Sequence, residues 1–259
     1  MPFAKSGEAQ IHYELEGPAG SPVLVFSNSL GTDYSLWHPQ AREFHKKVRV
    51  LRYDSRGHGQ SSIAPGPYSV EQLAKDVIAM LDALKLDRVT FCGLSLGGMI
   101  GMWLGTNAPQ RLNKLVLCNT GAKIGTLENW NTRIETVQKH GMKSVSSAVL
   151  ERWFTPSFRE KAASQVSNIR SVLEALDPNG YAACCAAVRD FDCREELKNI
   201  RVPTLVIAGT HDPATPPAEG RFIAENIPGA RYVELNAAHL SNVEDQERFN
   251  AELAAFLNV

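Results

Sequence analysis

Cysteine, net charge and long apolar runs are all scarce in this 259-residue chain, and each scarcity excludes a class of protein. There are only five cysteines. Cys92, Cys118, Cys184, Cys185 and Cys193 form an odd set with no C-x-x-C spacing, so neither a disulfide framework nor a zinc cluster is indicated. Buried free thiols in a reducing cytoplasm are expected instead. The 27 Lys and Arg are balanced by 28 Asp and Glu, giving a net charge of -1. Without a basic run the chain cannot displace counterions from phosphates, so no nucleic-acid partner is expected. It also has no polybasic membrane tether. The longest apolar runs, such as Val23-Leu24-Val25-Phe26, are far too short to span a bilayer. The start, Met1-Pro2-Phe3-Ala4-Lys5-Ser6-Gly7, has no apolar stretch of signal-peptide length. A cytoplasmic protein with no membrane partner is therefore expected, and a homo-oligomer is left open. Glycine and proline, at 19 and 14, are near ordinary use, which removes collagen-like and low-complexity classes.

What remains is an ordinary globular composition, 44% hydrophobic and 21% charged. The length suits one large domain or a domain carrying an insertion. Residues 10–15 alternate like a half-buried strand. Compact apolar runs at 23–27, 48–53, 89–93, 114–118 and 204–209 read as strands buried on both faces, and 231–235 as one more. Amphipathic helices lie between them. Val70, Leu73, Val77, Met80, Leu81 and Leu84 share one face of 70–84, and Phe249, Leu253 and Phe256 share one face of 242–257. This alternation predicts an α/β fold, a mostly parallel sheet covered by helices on both faces. From about Lys123 to Arg189 the strands stop and the pattern is helical. The expected division is a core over 1–121, a helical cap insertion over 122–190, and the rest of the core over 191–259.

The most informative segment is Val89-Thr90-Phe91-Cys92-Gly93-Leu94-Ser95-Leu96-Gly97-Gly98. A strand runs into Gly93-x-Ser95-x-Gly97, and a helical pattern follows at once. That is the strand–turn–helix setting of a G-x-S-x-G nucleophile elbow. The turn is so sharp that Gly93 and Gly97 must lack side chains, and the strain displays the Ser95 hydroxyl above the sheet. A dinucleotide fingerprint would need glycine where Ser95 stands. A serine hydroxyl needs a base, and the base an orienting acid. Asp212 follows the strand at 204–209, and His239 follows the strand at 231–235, in the chain order Ser, Asp, His. Asp190 and Asp192 are second-choice acids, more at home in surface salt bridges. His12, His38, His45, His58, His140 and His211 are expected to be structural. The oxyanion hole should pair the N–H of Leu96 with one from the loop Phe26-Ser27-Asn28-Ser29-Leu30-Gly31. Leu30 is the first choice there and Ser29 the next.

These residues resemble the α/β-hydrolase superfamily over essentially the whole chain. Tyr53-Asp54-Ser55-Arg56-Gly57-His58-Gly59-Gln60-Ser61 is similar to its Asp-x-Arg-Gly-x-Gly-x-Ser turn, which is structural in the family. Asn28-Ser29-Leu30-Gly31 stands where many members have His-Gly-x-Gly. Within the superfamily, 26–32, 52–59 and 91–99 are similar to the bacterial 3-oxoadipate enol-lactone hydrolases. Related esterases, perhydrolases and carbon–carbon bond hydrolases share much of these motifs. The resemblance implies opening of a small carboxylated lactone through an acyl-enzyme in aromatic breakdown, with neither metal nor cofactor. The substrate carboxylate needs a partner in an apolar pocket. A cap arginine near Trp130 or Trp153 is expected to supply it, with Arg133 the first candidate. Two other readings stay open: a carbon–carbon bond hydrolase or general esterase using the same triad, and a hydrolase-fold binding protein without turnover.

Overall fold

Short β-branched runs that are apolar at every position have only one stable home, the middle of a sheet covered on both faces. The computed structural model, which describes residues 2–259, places them there. Strands β1 (Phe3–Ser6), β2 (Ala9–Glu16), β3 (Val23–Ser27), β4 (Arg49–Tyr53), β5 (Val89–Leu94), β6 (Leu112–Cys118), β7 (Thr204–Gly209) and β8 (Arg231–Leu235) form one sheet in the order β1-β2-β4-β3-β5-β6-β7-β8. Every residue of β3, β5 and β7 is buried. The pairs β1–β2 and β2–β4 are antiparallel, and all the others are parallel.

Helices α1 (His38–Phe44), α2 (Val70–Ala83) and α3 (Leu96–Asn107) make the first crossovers. The step from β3 to β4 runs one way along the sheet, and the step from β4 to β5 runs back over β3. Because such crossovers are right-handed, α1 lies on one face and α2 and α3 on the other. The loops after β3 and β5 therefore diverge and leave a crevice at the carboxyl ends of these neighbouring strands. That is the topological switch point where open sheets bind ligands.

Between β6 and β7 the chain makes five α-helices and a short 3-10 turn (Leu197–Asn199) with no strand. The α-helices are α4 (Leu127–His140), α5 (Lys143–Trp153), α6 (Pro156–Lys161), α7 (Ala163–Glu174) and α8 (Pro178–Asp190). This is a helical insertion. Its helices start at local signals: Thr126, Thr155 and Asp177 each accept a backbone N–H of the turn they open. The fold then closes with α9 (Pro217–Asn226), α10 (Ser241–Glu244) and α11 (Gln246–Leu257).

Two expectations are corrected. The strand β1 was not among those read from sequence. It is four residues at the sheet edge with two of them exposed, too short to show alternation. The single helix expected over 242–257 is two, because Asp245 leaves helical geometry at φ -122 and ψ 53. All five cysteines are buried and free. No helix among the described residues is long and apolar enough to cross a membrane.

Candidate active site

Ser95 follows β5 and caps α3 with φ +56 and ψ -111, a backbone conformation that costs a serine about 1–3 kcal/mol. The surroundings hold it there. The Ser95 N–H donates to Cys118 O at 2.9 Å, and Ser95 O accepts from Thr120 Oγ1 at 2.7 Å and from the Met99 N–H at 3.0 Å. The two elbow glycines are steric requirements. A Cβ at Gly93 would lie 2.0 Å from Gly97 O, and one at Gly97 would lie 2.4 Å from Ser27 O.

Asp212 and His239 reach the same end of the sheet on the loops after β7 and β8. His239 Nδ1–H donates to Asp212 Oδ2 at 2.8 Å, which leaves Nε2 as the free basic nitrogen. The Asp212 side chain is wholly buried. Burial pushes its carboxyl pKa up, but the attraction of His239 and the hydrogen bonds around it outweigh that and hold it below the ordinary value. Oδ1 accepts the N–H groups of Ala214 (2.8 Å) and Thr215 (3.0 Å). Oδ2 also accepts from Thr215 Oγ1 (2.7 Å) and Asn119 Nδ2 (3.0 Å). The acid is thereby kept ionised and aimed at the imidazole.

Leu30 and Leu96 are buried, yet among the hydrogen bonds of the described residues neither N–H has an acceptor. Buried backbone donors are nearly always paired, so two left free beside a displayed serine are a local exception. The N–H group that follows each is occupied: Gly97 donates to Asn28 O at 3.0 Å, and Gly31 to His58 Nε2 at 3.0 Å.

A cavity of about 550 Å³ opens above these groups. Its lining includes Ser95, His239, Leu30, Trp130, Arg133 and Trp153. Ser95 and His239 thus face one space, without a hydrogen bond between them; such contacts commonly tighten only with ligand bound. The Arg133 guanidinium lies 5.0 Å from the Trp130 ring centroid and has no carboxylate partner among the described residues. The Trp130 indole N–H donates to Ile124 O at 2.7 Å, which fixes the ring. Trp153 closes the cavity from α5 and is buried.

The other histidines lie away from this pair, His140 exposed at the end of α4. His12 pairs with buried Asp54 at 2.8 Å, and His211 meets Asn236 at 3.0 Å. Asp190 is bound to Arg189, and Asp192 to Arg194 and Lys123, so neither approaches His239 as an acid. Among the described residues no group of three or more His, Cys, Asp or Glu is placed to hold a metal ion. Two supporting residues escaped the sequence, Asn119 and Thr215. Thr215 carried a weak signal, three residues after Asp212 on the same loop. Asn119 depends on contacts between distant segments.

A sequence model described as the alpha/beta hydrolase fold matches residues 22–246. The chain is 42% identical over 250 residues to the 3-oxoadipate enol-lactonase 2 of Acinetobacter baylyi, covering 96% of this chain and 94% of that one. It is 37% identical over 244 residues to the 3-oxoadipate enol-lactonase 1 of the same organism, covering 94% and 91%. The crystal structure of the enol-lactonase from Burkholderia xenovorans superposes with a TM-score of 0.98 at 45% identity, with both chains covered in full. From the strained serine and its paired acid and base to these full-length similarities, the chain belongs to the alpha/beta hydrolase fold family.

Proposed function

We propose that this protein is a cytoplasmic, cofactor-independent serine hydrolase that opens 3-oxoadipate enol-lactone to 3-oxoadipate in the β-ketoadipate route of aromatic breakdown. The observation that carries the chemistry is Ser95 on its strained elbow, sharing one cavity with His239, whose imidazole is paired to Asp212. The full-length similarity to enol-lactonases supports the substrate. Ser95, Asp212 and His239 are read as the triad, and the N–H groups of Leu30 and Leu96 as the oxyanion hole.

His239 Nε2 takes the hydroxyl proton as Ser95 Oγ attacks the lactone carbonyl. Asp212 holds the imidazole in the tautomer that leaves Nε2 free and stabilises the imidazolium formed. The carbonyl oxygen becomes an oxyanion between the two N–H groups, each such donor lowering the barrier by ~3–4 kcal/mol. Collapse breaks the ring C–O bond. The enol oxygen leaves with the proton from His239 but stays tethered through the acyl chain, and the enol becomes a ketone. His239 then takes a proton from water, the hydroxide attacks the acyl-enzyme, and the new acid leaves as Ser95 recovers its hydrogen.

Residues 122–190 act in this reading as the cap that selects the substrate. The Arg133 guanidinium, lacking a carboxylate of its own, receives the carboxylate of the lactone, with Trp130 and Trp153 walling its apolar part.

The test is a turnover panel of the enol-lactone, a saturated lactone, a short neutral ester and a ring-cleavage diketone. The enol-lactone should be fastest, and Ser95→Ala should abolish turnover of all four. Fastest turnover of the diketone would replace the lactonase reading by a carbon–carbon bond hydrolase. No turnover of any by the native chain, with binding retained, would make it a binding protein. Arg133→Ala should lose about tenfold or more in kcat/KM on the carboxylated lactone, the scale of a charge-assisted hydrogen bond, and much less on the neutral ester. Equal losses on both would remove Arg133 from the role.

A further inference from the structure

The oxyanion loop needs more than a free N–H; it needs that N–H to stay aimed. Two peptide planes decide this. The Leu30 N–H belongs to the peptide whose carbonyl is Ser29 O. That oxygen accepts both the Thr32 N–H at 3.2 Å and Thr32 Oγ1 at 2.9 Å. In a trans peptide the N–H points opposite the carbonyl, so these two bonds turn the Leu30 N–H outward. The next plane carries the Gly31 N–H. Gly31 has φ +90, a region that glycine enters freely, so nothing in its own backbone preference locks the loop. Its N–H is held instead by His58 Nε2 at 3.0 Å, from a residue far along the chain on the turn after β4.

His58 is built for accepting. It is buried. Its other ring nitrogen, Nδ1, lies 3.5 Å from Arg56 O and 3.7 Å from Cys184 Sγ. The Tyr181 ring, on the same α8 helix as Cys184, lies 6.3 Å away by centroids. With Nε2 occupied by a donor, the ring proton must sit on Nδ1, facing Arg56 O. Burial lowers the imidazole pKa from 6.5 to about 4, so it stays neutral and can accept at neutral pH.

We propose that His58 is a positioning residue of the oxyanion hole: its neutral imidazole, by accepting the Gly31 N–H, keeps the Leu30 N–H aimed at the oxygen that becomes negative in the transition state. The inference rests on the hydrolase reading above and extends it to a residue of the glycine-rich turn. It also gives the insertion a route to the hole, through Cys184 and Tyr181 of α8 and the His58 ring.

The experiment compares the native enzyme, His58→Leu and His58→Gln on a neutral ester and its thionoester, with thermal melts as a check on folding. Glutamine can put an amide oxygen near the place of Nε2; leucine cannot accept. His58→Leu should lose about 100-fold in kcat on the ester, the scale for displacing a catalytic group by about 1 Å, with KM little changed. The thionoester, whose sulfur makes poor use of N–H donors, should lose much less. His58→Gln should recover most of the loss on the ester. Equal losses on ester and thionoester, a glutamine variant no better than leucine, or an unchanged kcat would each overturn the proposal.

Nitrogen-15 NMR of the native protein tests it without a folded leucine variant. The His58 signals should show a bare Nε2 and a protonated Nδ1, and a proton on Nε2 would overturn it. Ser95→Ala separates the two levels. If that variant still turns over ester, the reading of Ser95 as the nucleophile, on which the proposal rests, fails. If it is inactive while His58→Leu is indifferent, only the positioning role falls.

Discussion

Asn119 sits at the end of β6 with φ +43, in the left-handed region that asparagine tolerates better than most residues. Its Nδ2 donates to Asp212 Oδ2 at 3.0 Å and to Ala238 O at 3.1 Å, and its Oδ1 accepts from Ser241 Oγ at 2.5 Å. One buried side chain thus ties the acid to both flanks of His239. Asn119→Gly keeps the backbone conformation and removes these bonds. It should lower stability by about 1–3 kcal/mol and lower kcat, read by thermal melts and steady-state kinetics. Asn119→Asp puts a second carboxylate against Asp212. Two carboxylates bind the imidazolium more strongly, so the acid limb of the kcat/KM profile should move to higher pH; an unmoved limb would detach Asn119 from the pair. His58 makes a prediction about stability. Burial lowers its pKa from 6.5 to about 4 in the folded protein. As pH falls through that window the unfolded chain takes up a proton that the folded one refuses, so stability declines across it. His58→Gln lacks this group, and its thermal midpoint should vary less between pH 6.5 and about 4.

The segment β5–elbow–α3 was legible from sequence because its signals are local: an apolar run, two glycines four apart, and a helix behind them. The break at Asp245 was not, since it goes with side-chain bonds back to the loop before these helices. Asp245 Oδ2 accepts the Asn236 N–H at 3.2 Å, and Glu244 accepts the Ala238 N–H at 2.9 Å. No periodicity announces such bonds. Helix α8 offers a test of how elements dock. Gly180 lies in its first turn against Gly57, and a Cβ there would come 2.4 Å from Gly57 O. Alanine is favoured over glycine in a helix by about 1 kcal/mol, but the collision is with backbone that cannot swing aside, and overpacking costs about 1–3 kcal/mol. Gly180→Ala should therefore be net destabilising in a denaturant melt; a stabilised variant would show that α8 can slide on the turn.

At the scale of the whole molecule, strand and helix alternation announced a mostly parallel sheet, but not its order, because which strand crosses which is settled by tertiary packing. The same holds for the candidate site: Ser95, Asp212 and His239 were nameable from motif and chain order, and the residues that brace them were not. Glu244 joins the two halves of this molecule. Its carboxylate accepts the Ala238 N–H beside His239 and also the N–H and Oγ1 of Thr155, at the start of α6 in the insertion. The Leu240 N–H adds a bond to Trp153 O at 3.1 Å. Glu244→Ala should speed amide exchange at both Thr155 and Ala238, whereas faster exchange at only one would mean that the two move independently. The chain order of Ser95, Asp212 and His239 has a consequence for synthesis. A growing polypeptide leaves the ribosome with its serine first, and its imidazole follows only after most of the remaining chain has been made. On the proposed reading of His239 as the base, the hydroxyl has none beside it until then, so an unfinished product is inert toward the esters around it and chemistry switches on only as the last strand and the helices after it settle into place.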